Sequence, residues 1–316
     1  MDDTIEREPV GETRDAARSP GPRAGAWAMA LPVGILAAMV GLLPWWMSGA
    51  RLPLQDLWEG AIRRGAMPIT LLPFSQYFVV LIFALLIVGA AAAGIGGRAL
   101  RVGGWGVVLL VAGLLLVQVT AAAQTALVMR EGLQQRLEST LYLSGLVAGT
   151  ALSVLVGVIV AVLIARAPRA GALIGLTIGA IGMASWTGAL LDPDRIGDGP
   201  LTAVLVIVPW IAPVLTGVAI AWTGIDTAGR VLAAILSVLL IWVAPAMTTA
   251  VTSTLGSRAL IRSGGDIVDY GIGVFQLALL TPELALRPIL ATVAVAAIGL
   301  VVRMLVVRRR RRHAPS

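Results

Sequence analysis

The side chains that carry out most enzyme chemistry are almost missing from the apolar runs of this chain. It contains no cysteine, and its one histidine, His313, stands near the C-terminus. The apolar runs hold no Asp, Glu, His or Lys, which excludes paired-aspartate proteolysis, serine–histidine pairs and histidine-based metal binding within them. No glycine-rich loop ends in the Gly-Lys-Ser/Thr of a phosphate site. We therefore predict no catalytic residue, metal or cofactor in these runs.

The stretch VPWIAP places Pro209, Trp210 and Pro213 inside one apolar run. Within a helix, each proline leaves the carbonyl four residues earlier without a partner. The next run carries Trp242 and Pro245 at a similar depth, although tryptophan normally lies at the membrane interfaces. We interpret the prolines as kinks that neighbouring helices repair. The alternative is a midplane pocket between the two tryptophans, which would suit a neutral or apolar ligand because no charged side chain is expected there.

Neutral polar side chains supply the other hydrogen-bonding groups of the apolar runs. They are Gln118, Thr120, Gln124 and Thr125 in the third run, and Thr248, Thr249 and Thr252 in the seventh. We expect them to form hydrogen bonds between helices, and we group Gln118 with the candidate pocket. Ion-coupled carriers usually hold an ionisable group or an unwound helix at mid-membrane, whereas these runs offer only neutral polar side chains there.

Small residues recur every four positions in the fourth and fifth runs. They are Gly145, Gly149, Ser153, Gly157 and Ala161 in the fourth run, and Gly171, Gly175 and Gly179 in the fifth. Such a stripe lets two helix backbones approach closely in lipid. Only the sequence RAPRA joins the two runs, so we predict antiparallel neighbours whose stripes pack together. A dimer interface is the alternative.

Eight runs are long enough to cross a bilayer, whose apolar core takes about 20 helical residues. They cover residues 27–47, 74–94, 105–128, 141–165, 171–191, 201–222, 231–255 and 288–307. The mean hydropathy is +0.91 and only 13% of residues are charged, against about a quarter in soluble domains. Strand-like alternation is absent. We predict an all-α, polytopic membrane helix bundle of about eight transmembrane helices within residues 25–307.

The distribution of arginine predicts orientation and partners. Fifteen of the 24 arginines fall on the side that holds both termini, and the positive-inside rule places that side in the cytoplasm. Residues 1–24 have the composition of a disordered tail. In the basic tail 308–316, we expect the run Arg308–Arg312 to attract anionic lipid and not nucleic acid. The arginine-only, alanine-rich composition is typical of a high-GC bacterium, and the predicted location is its cytoplasmic membrane.

Two outer loops are expected to hold further segments. Residues 53–65 have apolar residues at helical spacing, acids early and arginines late, which predicts a short interfacial helix. Residues 267–280 are mostly apolar but too few to cross and return, which predicts an interfacial or re-entrant segment. The loop DPDRIGDG begins like a calcium loop but lacks later ligands, so we interpret it as a turn.

Three functions remain open on this basis. We favour a non-enzymatic accessory or scaffold component of an envelope complex, which predicts a filled core, an exposed stripe of small residues and a membrane-protein partner or second copy. The alternative is a permease or channel-like subunit for a neutral or amphiphilic solute, with a polar path through the third, sixth and seventh runs. The third is an outer-face enzyme for lipid-linked substrates, with outer acids clustered over a cavity.

Overall fold

The computed structural model describes residues 26–60, 66–191, 205–257 and 266–312. Within these ranges the chain forms nine α-helices and no β-sheet. The helices are α1 (Ala26–Met47), α2 (Val79–Leu100), α3 (Gly104–Gly132), α4 (Leu137–Arg166), α5 (Arg169–Leu190), α6 (Val208–Thr223), α7 (Ala228–Gly256), α8 (Asp266–Leu280) and α9 (Pro282–Arg312).

Eight of the described helices, all except α8, are long and apolar enough to cross a membrane. The predicted all-α bundle of eight spanning helices is therefore confirmed, and the protein is a multi-pass membrane protein. Helix α9 begins at Pro282, well before the predicted start at residue 288. Helix α8 is too short to cross, and it packs along α7, where the Trp242 indole N–H donates to the Leu279 carbonyl over 3.2 Å.

Helix α2 is the most buried of the spanning helices and packs against α1, α4 and α5. Glycine residues of α2 allow its backbone to approach these helices closely. A Cβ on Gly89 would lie 3.1 Å from the Ala37 carbonyl of α1, and one on Gly94 would lie 2.8 Å from the Ala161 carbonyl of α4. Because lipid gives little hydrophobic drive for helix association, such close backbone packing holds the bundle together.

Helix α5 connects this group to α6 and α7, which together with α9 are the least buried spanning helices. Helices α6 and α9 meet at Gly217, where a Cβ would lie 2.8 Å from the Thr292 carbonyl. Leu173 of α5, Ile220 of α6 and Ala233 of α7 share one small apolar cluster. Helices α6, α7 and α9 are thus packed closely at one end only. The cavity described below lies between them at the other end.

The two ends of the bundle carry different residues, and we name them accordingly. The arginine-rich end holds the short connections α2–α3, α4–α5 and α6–α7. There Arg98 donates to the Ala167 carbonyl at the end of α4 over 3.1 Å, and Arg303 of α9 pairs with Asp226 over 3.2 Å. The loop end is the opposite end, where the described residues 48–60 and 66–75 fold over the helices.

The predicted interfacial helix in the first outer loop is wrong for the described residues 53–60. This segment is extended or turned, and it pairs with the end of α3 through a bridge between Trp58 and Leu133. The amide of Glu59 donates to the Gly132 carbonyl over 2.8 Å. Hydrogen bonds to α3 thus replace those of a helix, while Leu57 and Trp58, two of the helically spaced apolar residues, still pack on the bundle.

The predicted packing of the α4 stripe on the α5 stripe is wrong for α4. A Cβ on Gly157 would lie 3.3 Å from Ala90 of α2, and Gly145 and Gly149 have no atom within 4 Å of the Cβ position. Ser153 turns its hydroxyl back to the Gly149 carbonyl over 2.8 Å. One half of the α4 stripe therefore packs on α2, and the other half is open.

The α5 stripe is divided among three neighbours. A Cβ on Gly175 would lie 3.2 Å from the Val160 carbonyl of α4, as predicted, whereas one on Gly179 would lie 2.7 Å from Ala91 of α2. Gly171 lies against Ala167 of the α4–α5 turn. Small residues predict a close approach, but the central position of α2 decides which helix fills it.

Some predictions lie outside the described residues. They are the N-terminal tail 1–24, the turn DPDRIGDG, residues 61–65 of the first outer loop, and the side chains of Arg308–Arg312 with their expected contact to anionic lipid.

Candidate functional site

A cavity of about 460 Å³ lies between α5, α6, α7 and α9. Its described lining is Ile181, Ala184, Ser185, Pro209, Trp210, Ala212, Pro213, Ile241, Ala244, Pro245, Thr248, Arg287 and Pro288. The size falls in the range of small-molecule sites, and the mostly apolar wall with a few polar groups is typical of them. Four of the predicted pocket residues are therefore brought together: Pro209, Trp210, Pro213 and Pro245.

The cavity occupies the half of the membrane nearer the loop end. At about 1.5 Å per helical residue, Pro213 lies about 15 Å from the arginine-rich end of α6. By the same measure Thr248 lies about 30 Å from the arginine-rich end of α7. Since the apolar core of a bilayer is about 30 Å thick, these depths run from the midplane to the surface at the loop end.

Proline rings from three helices line the cavity and explain both its shape and its polar groups. Pro213 of α6, Pro245 of α7 and Pro288 of α9 all lie inside their helices. None can donate to the carbonyl four residues earlier, so the carbonyls of Pro209 and Ile241 lose their helical donors. Both of these residues line the cavity. The mostly apolar wall thus includes two residues whose carbonyls have lost their usual helical donors.

Pro209 does not kink α6. It stands in the first turn of α6, where a backbone N–H has no helical partner in any case. The prediction that it frees a carbonyl inside a helix is therefore wrong, whereas that prediction holds for Pro213.

Thr248 and Thr249 turn their hydroxyls back to the Pro245 carbonyl over 2.9 and 2.8 Å, and so make no bond between helices.

Arg287 overturns the expectation of an uncharged pocket. It is the only charged residue among the described residues of the lining, and its side chain is exposed. At about 1.5 Å per residue it lies about 24 Å along α9 from Arg303, which marks the arginine-rich end. The cavity therefore has a guanidinium near its surface edge and apolar walls below.

Two of the predicted pocket residues lie elsewhere. Trp242 does not line the cavity, because its indole faces α8 and bonds the Leu279 carbonyl. Gln118 of α3 is buried and donates to the Leu86 carbonyl of α2 over 2.8 Å, which confirms the expected interhelical bond. It therefore holds α3 to α2 and does not belong to the cavity.

Two other polar residues of α3 also serve its packing, whereas Thr120 turns its hydroxyl back to the Leu116 carbonyl of its own helix over 2.6 Å. Gln124 accepts from the Leu71 amide over 2.9 Å and Thr125 accepts from the Leu72 amide over 3.0 Å, which docks the first outer loop onto α3. No described polar residue of α3 lines the cavity. Helix α3 therefore does not contribute to the polar path that was expected through the third, sixth and seventh runs. The cavity is lined by α6 and α7, with α5 and α9 as further walls.

Comparison of the chain with protein-family models, curated proteins and solved structures finds no match. Among the described residues, no three Asp, Glu or His side chains gather as a metal site. The described lining offers one guanidinium, the hydroxyls of Ser185 and Thr248, two carbonyls without their helical donors, and apolar walls that include Trp210. Together they can hold an amphiphile whose head group accepts hydrogen bonds from arginine.

Proposed function

We propose that the protein is a non-enzymatic, permease-like subunit of the bacterial cytoplasmic membrane that binds an amphiphile with an acidic head group. The observation that carries this proposal is the position of Arg287 at the surface edge of an apolar cavity. The proposal takes the transport alternative over the scaffold, because a scaffold predicts a filled core.

Arginine suits this task better than a neutral polar residue would. Its guanidinium remains charged and offers donors in a planar fork that fits a carboxylate or phosphate. The chain of the amphiphile would lie among Pro213, Ile241 and Pro245, where burial of apolar surface is favourable at about 25 cal/mol per Å². A ligand with a charged head and an apolar tail is the class that uses both parts of the cavity.

Unpartnered hydroxyls below the cavity favour a permease-like role over simple storage. Thr216 of α6 and Ser237 of α7 are fully buried, and their hydroxyl oxygens have no hydrogen-bond partner. At about 1.5 Å per residue they lie about 10 and 14 Å from the arginine-rich end, below the cavity. Buried polar atoms are usually satisfied. If α6 and α7 separate, these hydroxyls would offer hydrogen-bonding sites along an extended path.

The orientation belongs to the same proposal. The positive-inside rule places the arginine-rich end in the cytoplasm and the loop end outside. The amphiphile would then enter from the outer leaflet, where the cavity is nearest the surface.

The test compares palmitate with hexadecanol, which have the same chain length and differ in the charge of the head group. Binding to the purified protein in a neutral maltoside detergent is measured by calorimetry. We expect palmitate to bind more tightly, and Arg287→Gln to weaken palmitate by about 10- to 150-fold, since hydrogen bonds to charged groups contribute about 1.5–3 kcal/mol. Hexadecanol should be unaffected.

The matched control is Arg130→Gln, which removes an arginine at the loop end of α3, outside the cavity. It should leave both ligands unchanged. Equal binding of palmitate and hexadecanol to the unmodified protein would refute the acidic head group. Unchanged palmitate binding in Arg287→Gln would refute the site.

A further inference from the structure

A second pair of cavities lies at the loop end, away from α5, α6 and α9. The first, which we call the polar chamber, has a volume of about 770 Å³ and is lined by residues that include Gln55, Asp56, Arg136 and Glu138. The second, the glycine cleft, has a volume of about 310 Å³ and is lined by residues that include Val79, Ile82, Gly145, Gly149 and Leu255. Gln76, Leu141 and Tyr142 line both. The two cavities therefore adjoin.

Hydrogen bonds fix the wall that the two cavities share. The Tyr142 hydroxyl donates to Gln55 Oε1 over 2.9 Å and accepts from the Gln76 amide over 3.3 Å. Gln55 Nε2 in turn donates to the Phe74 carbonyl over 2.9 Å. The first outer loop, the start of α2 and the start of α4 are thus held in one arrangement. A site with fixed walls loses less entropy when a ligand binds.

The glycine cleft has the length of one membrane leaflet. Along α4 it extends from Leu141 to Ser153, which is about 18 Å at 1.5 Å per residue. Half of a bilayer core measures about 15 Å. Nothing lies within 4 Å of the Cβ positions of Gly145 and Gly149, so the floor is open along the chain direction of a lipid. The open half of the α4 stripe, which packs on no helix, thus lines the cleft where an acyl chain would lie.

Charges of both signs line the polar chamber at the start of α4. Arg136 directly precedes the helix, and Glu138 is the acid of its first turn. Asp56 of the first outer loop adds a second carboxylate. Arginine and the free amides at a helix N-terminus favour a phosphate, whereas carboxylates favour an ammonium group. A purely anionic head group would meet the Glu138 carboxylate as well as Arg136, so the charge pattern fits a zwitterion.

We propose that the polar chamber and the glycine cleft together bind a phospholipid with a primary ammonium head group. Its phosphate lies at Arg136, its ammonium group at Glu138, and one acyl chain in the cleft beside Gly149. This site is separate from the cavity at Arg287 and takes a zwitterionic head group, not an acidic one.

The test uses phosphatidylethanolamine and phosphatidylglycerol with identical chains. The delipidated full-length protein receives an equimolar mixture in maltoside, and native mass spectrometry counts the bound lipids. We expect the unmodified protein to retain phosphatidylethanolamine in preference. Glu138→Gln should reduce that preference by about tenfold, as expected for one hydrogen bond to a charged group. Equal retention of both lipids by the unmodified protein would overturn the assignment of the head group.

The cleft is tested by Gly149→Leu, which should remove binding of both lipids because the side chain fills the space of the acyl chain. The matched control is Gly273→Leu in α8, which also has nothing within 4 Å of the Cβ position but lies outside the cleft. Lipid retention by Gly149→Leu equal to that of the control would overturn the proposal. So would conversion of a dimer into a monomer by Gly149→Leu with lipid binding intact, since the cleft would then be an interface between two copies. If the yield of Gly149→Leu is too low, Gly145→Leu tests the same space.

Discussion

Two glycine-to-alanine substitutions should change stability in opposite directions. At Gly94 of α2, a Cβ would lie 2.8 Å from the Ala161 carbonyl and 2.7 Å from Ile164 Cβ of α4, so the two helices must separate. Overpacking of this kind costs about 1–3 kcal/mol. At Gly149 of α4 no atom lies within 4 Å, and alanine should stabilise by roughly 0.4–1 kcal/mol because the unfolded chain has fewer conformations. The two variants should differ by about 1.5–4 kcal/mol.

The assay is reversible unfolding in mixed micelles of maltoside and dodecyl sulfate, followed by circular dichroism. Gly94→Ala should unfold at a lower fraction of dodecyl sulfate than the unmodified protein, and Gly149→Ala at an equal or higher fraction. Gly157→Ala, which would approach Ala90 of α2 to 3.3 Å, should fall between them. Loss of stability in Gly149→Ala as large as in Gly94→Ala would refute the conclusion that this half of the stripe is open.

Five further substitutions test the prolines, the contact of Trp242 with α8, and the arginine-rich end by thermal unfolding, palmitate binding and hydrogen exchange. Pro213→Ala should raise thermal stability, because it restores a helical hydrogen bond, and weaken palmitate binding, whereas Pro209→Ala should change stability by less than about 0.5 kcal/mol. Trp242→Phe removes the bond to α8, so amide exchange in α8 should accelerate about two- to tenfold, and unchanged exchange would contradict the contact. Arg98→Gln should destabilise by about 1.5–3 kcal/mol through its lost bonds to the end of α4, and Arg101→Gln, which lacks such bonds among the described residues, should not.

The number of the spanning helices was predictable because a long apolar run in the sequence identifies a segment that can cross a membrane. The helix against which each stripe of small residues packs could not be predicted. A glycine such as Gly157 predicts that some backbone comes close, but its neighbour proved to be Ala90 of α2 and not the stripe of α5. That choice depends on contacts between residues far apart in the sequence, and the short α4–α5 connection says nothing about them.

The position of Arg287 could have been inferred from a local signal. The sequence Thr281-Pro282-Glu283 has the capping residue, first-turn proline and early acid of a helix start. Hydropathy placed the start at Pro288 instead, which left Arg287 among the loop residues. Counted from Pro282, the arginine stands within α9 and lines the cavity.

The first outer loop shows the opposite limitation. Its apolar spacing and charge order both favoured a helix over residues 53–65, yet the described backbone bonds to α3 at Gly132 and lies beside it at Leu133. Local periodicity cannot reveal such a partner, because the same apolar residues can pack against the bundle from an extended chain. The polar chamber, whose wall this loop forms, was invisible from the sequence for the same reason.

Quenching of Trp210 by a brominated fatty acid tests the central claim, that the cavity beside Arg287 binds an acidic amphiphile. Dibromostearate and its methyl ester are added to the protein in maltoside, and the fluorescence lost in the unmodified protein is compared with that lost in Trp210→Phe. Trp27→Phe, an exposed tryptophan at the other end of the bundle, is the control. We predict that saturable quenching by the acid disappears in Trp210→Phe and in Arg287→Gln, remains in Trp27→Phe, and is much weaker for the ester. Quenching that is equal for acid and ester, or unchanged in Trp210→Phe, would contradict the account.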